Sequence, residues 1–204
     1  MKIFLYVLDT LADWEISLII AEINGGRYLR KNIVKPPIIK VGNNMNSIKT
    51  MGGIVINPDI DVDNMNIEIG DLIILPGAET WLNGNNSKII DKIKGNDDIT
   101  IAAICGATMA LADNGLLDNK RHTSNAKEFL KMFCKNYNGE FLYQDKTVVV
   151  DGNLITATGL APLDFAYEVI KKLDVMEPDT LNAWYNLYKT KETKYFFELI
   201  NSLK

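Results

Sequence analysis

Short runs of almost exclusively apolar residues recur along the chain, and segments with apolar residues at helical spacing lie between them. Residues 2–8 (KIFLYVL) form the first run, and residues 71–77 (DLIILPG) and 98–105 (DITIAAIC) repeat the pattern. Strands that are apolar on both faces are typical of a parallel sheet covered by helices on either side. The alternation therefore predicts a three-layer α/β/α sandwich with a mostly parallel sheet.

The composition is that of a globular protein whose fold needs no metal or disulfide. The chain has 204 residues, of which 47% are hydrophobic and 24% charged, and a chain of this length buries about 70% of its unfolded surface. Two cysteines and the lack of a recognisable leader predict free thiols in the cytoplasm. We expect one domain over residues 1–204, with a helical extension at about 177–204 and no metal or cofactor.

Charge and hydropathy exclude two classes of partner. The net charge is −4, and the basic residues are scattered along the chain and form no stripe, which argues against nucleic-acid binding. The apolar runs are too short to cross a bilayer, so we expect no membrane association.

The second half of the chain carries the clearest turn signal. Residues 146–158 (KTVVVDGNLITAT) contain two β-prone runs around an Asp-Gly pair, which predicts a hairpin. Residues 121–125 (RHTSN) predict a short strand, and residues 126–137 (AKEFLKMFCKNY) predict an amphipathic helix. Cys134 lies on the apolar side of that helix, beside Phe133, and is interpreted as a core residue.

Three residues follow the ends of predicted strands, where ligands collect in open α/β sheets. They are Asp9, Gly77 and Cys105. Cys105 lies between a strand and a helix, and the first amides of that helix favour a thiolate, which predicts a lowered thiol pKa. The alternative is a buried apolar cysteine, because free cysteine is among the most buried residue types.

Four segments, in order from residue 6 to residue 170, carry a family resemblance. They are YVLDTLADWE (6–15), DLIILPGAETW (71–81), IAAICGATMALADNGLLDNKRHTSN (101–125) and LITATGLAPLDFAYEVI (154–170). Together they resemble the ThiJ/PfpI family of the class I glutamine amidotransferase-like superfamily. The resemblance implies a flavodoxin-like sandwich, usually dimeric, with a nucleophile-elbow cysteine at Cys105. The activities of that family span deglycase or glyoxalase-type chemistry, peptidase and chaperone activity, and oxidative-stress sensing.

The resemblance also implies roles for residues around Cys105. Glu15 matches the acidic residue that lies against the cysteine sulfur, where a protonated carboxyl would hold the sulfur ionised. Without the resemblance, an exposed carboxylate in the first turn of a helix is the favoured interpretation. Gly77 and Ala78 match the backbone that forms an oxyanion-hole-like pocket with the amide of Gly106. Without the resemblance, Gly77 would be interpreted as an ordinary turn glycine. The family often has a second glycine at the position of Ala78.

The sequence departs from the family at the histidine position. Ungapped matching places Asn125 where many catalytic members carry a histidine near the sulfur, and His122, the only histidine of the chain, lies three residues earlier. An odd offset along a strand sends His122 to the opposite face, unless a local shift returns it to the sulfur. Asp13 and Trp14 are candidates for the rim of the pocket, or else a helix N-cap and a packing aromatic.

Three functions are compatible with these residues. The first is an enzyme of weak turnover, in which Cys105 attacks a small carbonyl or acyl compound with Glu15 as proton donor and acceptor. The second is a redox-responsive protein, in which an oxidant converts Cys105 to sulfenic or sulfinic acid. The third is a non-catalytic dimeric scaffold or holdase. Peptidase activity has less support, because no histidine directly follows Cys105 as in the peptidase-like branch.

Overall fold

The computed structural model describes residues 1–83 and 86–203, and that part of the chain contains nine strands and seven α-helices. The strands are β1 (Ile3–Val7), β2 (Ile38–Gly42), β3 (Ile48–Lys49), β4 (Val55–Ile56), β5 (Ile60–Asp61), β6 (Leu72–Leu75), β7 (Thr100–Ile104), β8 (Val148–Asp151) and β9 (Leu154–Ala157). The helices are α1 (Asp13–Gly25), α2 (Ser87–Ile93), α3 (Gly106–Asp113), α4 (Lys127–Phe133), α5 (Pro162–Leu173), α6 (Pro178–Thr190) and α7 (Thr193–Ser202). Two 3₁₀ helices span Glu79–Asn83 and Glu140–Leu142.

The main sheet has seven strands in the order β5-β2-β1-β6-β7-β9-β8. All pairs of adjacent strands in this sheet are parallel except β8 and β9, which form the predicted antiparallel Asp-Gly hairpin. Every residue of β1, β6, β7 and β9 is buried, as their apolar sequences require. The sequence prediction of a mostly parallel sheet is confirmed. Strands β3 and β4 form a separate antiparallel hairpin.

Helices flank the sheet on both faces. The connection from β1 to β2 and the connection from β6 to β7 run in opposite directions along the sheet, and right-handed crossovers then place α1 and α2 on opposite faces. Helix α1 packs against α5, and α3 packs against α4. This is the predicted flavodoxin-like three-layer arrangement, and the strand order reverses between β1 and β6, where such folds form a crevice.

The predicted C-terminal extension is a pair of helices. Helix α6 packs on α5 and buries Leu181 and Trp184, while α7 packs on α6 and buries Leu199. Lys204, the last residue of the predicted extension, lies outside the described residues. No helix within the described residues has the length and apolarity that a membrane span requires.

Two local predictions are wrong. Residues 121–125 form only an isolated bridge between His122 and Tyr143, because the next backbone amide, that of Thr123, donates to the side-chain hydroxyl of Thr156 on β9 at 2.9 Å and not to a strand backbone. The second wrong prediction is the apolar neighbour of Cys134: helix α4 ends at Phe133, which is 45% exposed and faces solvent. Cys134 itself is buried, as predicted.

Candidate active site

Cys105 occupies a strained elbow between β7 and α3. Its φ of 59° and ψ of −126° lie in a region that non-glycine residues rarely adopt. Such a conformation costs on the order of 1–3 kcal/mol, so the surrounding hydrogen bonds must hold it in place. The Cys105 N–H donates to the Ala157 carbonyl at 3.0 Å, and the Thr108 hydroxyl donates to the Cys105 carbonyl at 2.6 Å. The elbow thus fixes the sulfur at the carboxyl edge of the sheet.

The carboxyl group of Glu15 lies against this sulfur. Glu15, in the first turn of α1, is 1% exposed, and its Oε2 accepts a hydrogen bond from the Gly77 N–H at 2.6 Å. Its Oε1 is buried and, among the described residues, has no hydrogen-bond partner that is nitrogen or oxygen. A Cβ placed on Gly159 would lie 2.8 Å from the Cys105 Sγ and 3.0 Å from this Oε1, so the two atoms are no more than about 6 Å apart. The expected pairing of Glu15 with Cys105 is therefore present in the geometry.

Burial raises the pKa of both Glu15 and Cys105. Burial raises the pKa of Glu15, against the opposing effect of the Gly77 N–H. Burial and the negative charge of Glu15 raise the pKa of the Cys105 thiol, and these effects outweigh the hydrogen bonds from Asn125 and Gly106. The prediction of a lowered Cys105 pKa, which relied on the helix amides and on Glu15, is wrong, because these amides do not offset burial of the thiol and the negative charge of Glu15. The two groups titrate as a coupled pair.

The loop after β6 passes directly over the elbow. A Cβ on Gly77 would lie 2.6 Å from the Glu15 Oε2 and 2.8 Å from the Cys105 Cβ, so only glycine fits at this position. A Cβ on Gly106 would lie 3.0 Å from the Ala78 carbonyl oxygen and 3.6 Å from the Ala78 nitrogen. Gly77, Ala78 and Gly106 are thus brought together at Cys105, as the resemblance implies.

Asn125 lies beside the sulfur, at the position that the matching assigned to it. Its Nδ2 donates to the Cys105 Sγ at 3.3 Å. Its Oδ1 accepts hydrogen bonds from the Gly159 N–H at 2.8 Å and from the Thr158 hydroxyl at 3.3 Å. Because both of those partners are donors, the amide orientation is fixed, with the NH₂ group towards the sulfur.

His122 is not part of the site. It is fully buried, and its Nδ1 lies 2.7 Å from the Lys120 carbonyl oxygen while its Nε2 lies 2.7 Å from the Tyr137 hydroxyl. The carbonyl only accepts, so Nδ1 carries the proton and Nε2 accepts from Tyr137. Burial lowers the pKa of His122 and keeps the ring neutral.

The other candidates lie around the site with different tasks. Asp13 accepts the Gly52 N–H at 2.7 Å and so ties the β3–β4 hairpin to α1, while the cap position belongs to Ala12. Trp14 is 52% exposed on the outer surface of α1. Asp9 accepts the Lys49 N–H at 2.8 Å and lines a neighbouring cleft of about 430 Å³ at the ends of β1 and β2.

Thr158 and Gly159 are the site residues that sequence reasoning missed. Both belong to the segment LITATGLAPLDFAYEVI, which supported the family resemblance, but they received no role. The available signal was a glycine two residues after the end of β9, at the same sheet edge as Cys105. Within the described residues, no group of three histidine, cysteine or acidic side chains is placed to hold a metal ion.

Comparisons with known proteins identify the family. The family described as DJ-1/PfpI matches residues 1–172, so α6 and α7 lie beyond the match. A Bacillus subtilis (strain 168) protein named "Uncharacterized protease YoaZ" is 47% identical over 204 residues, which cover 99% of this chain and 97% of that protein.

Two solved structures extend the comparison. A thiJ/pfpI family protein from Bacillus anthracis superimposes with a TM-score of 0.97 at 49% identity, over 99% of this chain and 96% of that one. The DJ-1 superfamily protein Atu0886 from Agrobacterium tumefaciens has a TM-score of 0.79 at 27% identity, over 94% of this chain and 98% of that one. By sequence and by fold, the chain belongs to the DJ-1/PfpI family.

Proposed function

We propose that the protein is a cysteine-dependent enzyme of low turnover that acts on small reactive carbonyl or acyl compounds. The observation that carries this proposal is the buried Glu15 carboxyl facing the Cys105 sulfur at a strained elbow. Two buried acids this close do not both ionise readily, so a proton that leaves the sulfur is held by Glu15. The pair therefore supplies a nucleophile and a proton donor together.

Addition to an aldehyde illustrates the step. The Cys105 thiolate forms a carbon–sulfur bond, and the electron pair of the C=O bond moves to oxygen. In this proposal the backbone N–H groups of Ala78 and Gly106 stabilise that oxyanion, and Glu15 then donates its proton to it. The product is a neutral hemithioacetal with an ionised Glu15, which is in turn ready to remove a proton from the adduct.

Low turnover follows from Asn125. A carboxamide donates hydrogen bonds but neither accepts nor releases a proton at neutral pH. A general base typically contributes about 10²- to 10⁴-fold to a rate, and Glu15 is left to perform every proton transfer at this site. Hydrolysis of an acyl intermediate by water is the step most affected.

Consumption of methylglyoxal tests the proposal. Wild type should consume it slowly, Cys105→Ser should not, and His122→Ala should behave as wild type because His122 binds Lys120 and Tyr137 instead. Asn125→His should raise the rate if the imidazole finds room beside Gly159. Equal consumption by wild type and Cys105→Ser contradicts the proposal.

A redox-responsive role is the second candidate, and the donors around the sulfur favour it. The Asn125 NH₂ and the Gly106 N–H both reach Sγ, and such donors also stabilise a sulfenate or sulfinate. Intact mass after graded peroxide distinguishes this role: oxygen should add to Cys105 in wild type and less in Asn125→Ala, which removes the NH₂ donor to the sulfur. If Cys105 neither adds oxygen nor reacts with carbonyl or acyl compounds, the non-catalytic scaffold is the remaining function.

Peptidase activity has little support in this chain, although one relative is named a protease. Gly106 follows Cys105, and the single histidine binds Lys120 and Tyr137. Amide cleavage needs a proton on the leaving amine. Glu15 alone would have to supply it, so we expect no measurable hydrolysis of casein.

We also propose a homodimer in the cytoplasm, where both thiols stay reduced. Large apolar side chains are exposed next to site residues: Trp14 adjoins Glu15, and Leu160, which is 94% exposed, adjoins Gly159. Exposed apolar side chains mark an interaction surface where they form a contiguous patch, and the proposal is that these two belong to one. Leu160→Glu should shift the protein to a monomer in light scattering, whereas Val34→Glu, at a comparably exposed position, should not.

A further inference from the structure

Thr10, directly after β1, has a backbone conformation that its side chain disfavours. Its φ is +63°, in the left-handed region, where a β-branched residue is a genuine outlier. Strain of this kind persists only where the surrounding contacts hold it, and it concentrates at functional sites. The chemistry proposed for Cys105 assigns no task to this residue.

The Thr10 hydroxyl is fully engaged. Its Oγ1 donates to the Asp9 carbonyl at 2.6 Å and accepts the Glu79 N–H at 2.9 Å. The Thr10 N–H donates to the Lys49 carbonyl at 2.8 Å, which holds the backbone in place from the other side. The left-handed conformation thus coincides with a hydroxyl that reaches the loop after β6.

That loop, Gly77–Glu79, is fixed on both sides of Ala78. The Gly77 carbonyl accepts the Ala12 N–H at 2.9 Å, and the Glu79 N–H is bound by the Thr10 hydroxyl. Ala78, between them, lies over the first residue of α3, where a Cβ on Gly106 would be 3.0 Å from its carbonyl oxygen. The Thr10 hydroxyl thus holds the Ala78–Glu79 peptide, while the Ala12 N–H holds the Gly77–Ala78 peptide, which carries the Ala78 N–H.

We propose that Thr10 is a positioning residue whose hydroxyl holds the Ala78 backbone where an oxyanion forms. This role rests on the proposed function, because it has an effect only in a reaction that develops negative charge on oxygen. Thr10 touches neither the sulfur nor the reacting carbonyl and acts through the Gly77–Glu79 loop.

Two reactions of the same sulfur separate this role from general stability. With p-nitrophenyl acetate, the thiolate forms a carbon–sulfur bond, the carbonyl electrons move to oxygen, and their return expels p-nitrophenolate. With iodoacetamide, the thiolate displaces iodide and no oxyanion forms. The ratio of the two rates at one pH reports on stabilisation of the oxyanion and is insensitive to the fraction of thiolate.

Thr10→Val should lower the rate of the p-nitrophenolate burst about 10- to 100-fold, the usual effect of a displaced oxyanion donor. It should leave the rate of Cys105 alkylation unchanged. Thr10→Ser keeps the hydroxyl and should restore the wild-type ratio. Thr10→Gly removes the hydroxyl and relieves the strain, so it gives the same test if Thr10→Val folds poorly. Thr180→Val is the matched control, because its buried hydroxyl binds Ser202 at 2.8 Å on α6 and α7.

The outcomes are distinguishable. A normal burst in Thr10→Val or Thr10→Gly refutes the role of Thr10 and leaves the proposed function standing, as does an equal loss of both reactions. Absence of any burst in wild type, with alkylation intact, refutes the acyl chemistry of the proposed function and this role of Thr10 with it.

Discussion

Replacing Glu15 by glutamine should simplify the pH dependence of Cys105 alkylation. In wild type, Oε1 and Sγ are no more than about 6 Å apart. At an effective dielectric constant of about 20, two unit charges at that separation repel by about 3 kcal/mol, or about 2 pKa units. The pair should therefore lose its two protons in steps at least about 2 pH units apart.

Iodoacetamide labelling with peptide mapping measures this directly. The wild-type rate at Cys105 should rise with pH in two steps, because the sulfur is partly ionised while Glu15 holds the shared proton. Glu15→Gln has no such partner and no negative charge, so it should show one step, at lower pH than the second wild-type step. Cys134 is the internal control, since burial raises its thiol pKa to about 11 and it should label slowly throughout. Identical single-step profiles in wild type and Glu15→Gln would refute proton sharing.

Three further measurements test the site and the buried histidine. Because the pKa of Glu15 is raised in the folded protein, the free energy of unfolding falls as pH rises from the ordinary pKa of 4.5 through the folded pKa. In urea unfolding, Glu15→Gln should match wild type in acid and become the more stable of the two over that range. A difference in unfolding free energy that is constant with pH would contradict this. Gly159→Ala should lower the free energy of unfolding by about 1–3 kcal/mol and slow alkylation of Cys105, because the new Cβ would lie 2.8 Å from Sγ. Gly25→Ala, whose Cβ would have no atom within 4 Å, should change neither the stability nor the alkylation rate. The buried neutral His122 stabilises the fold above pH 6.5, and this contribution is lost as pH falls through its lowered pKa. The unfolding free energy of His122→Leu should therefore fall less steeply with decreasing pH than that of wild type. Equal slopes would show that another group causes the loss of stability in acid.

The sheet and the elbow were predictable from sequence because they depend on local chemistry. Continuous apolar runs require burial on both faces, and the parallel strands β1, β6 and β7 followed from them. A cysteine between such a run and a small-residue helix marks the elbow, and the segments around it identify the family. The convergence of Glu15 and Gly77 on Cys105 came from the resemblance, since residues 15, 77 and 105 are distant in sequence.

Other features depend on contacts that periodicity does not encode. The lowered Cys105 pKa was predicted from the helix amides and a protonated Glu15, but burial of the thiol and the negative charge of Glu15 reverse the direction. The strand expected at residues 121–125 fails because a threonine hydroxyl satisfies a backbone amide that a ladder would use. The role of Gly159 depends on the space between Sγ and a carboxyl oxygen, which only the folded chain reveals.

Peptide-resolved mass after brief treatment with p-nitrophenyl acetate at neutral pH is the most direct test of Cys105 as the covalent centre. Wild type should carry one acetyl group, on Cys105, while Cys134 stays unmodified and Cys105→Ser shows no acetyl group at this position. Acetylation confined to lysines, at the same rate in wild type and in Cys105→Ser, would contradict covalent chemistry at this elbow.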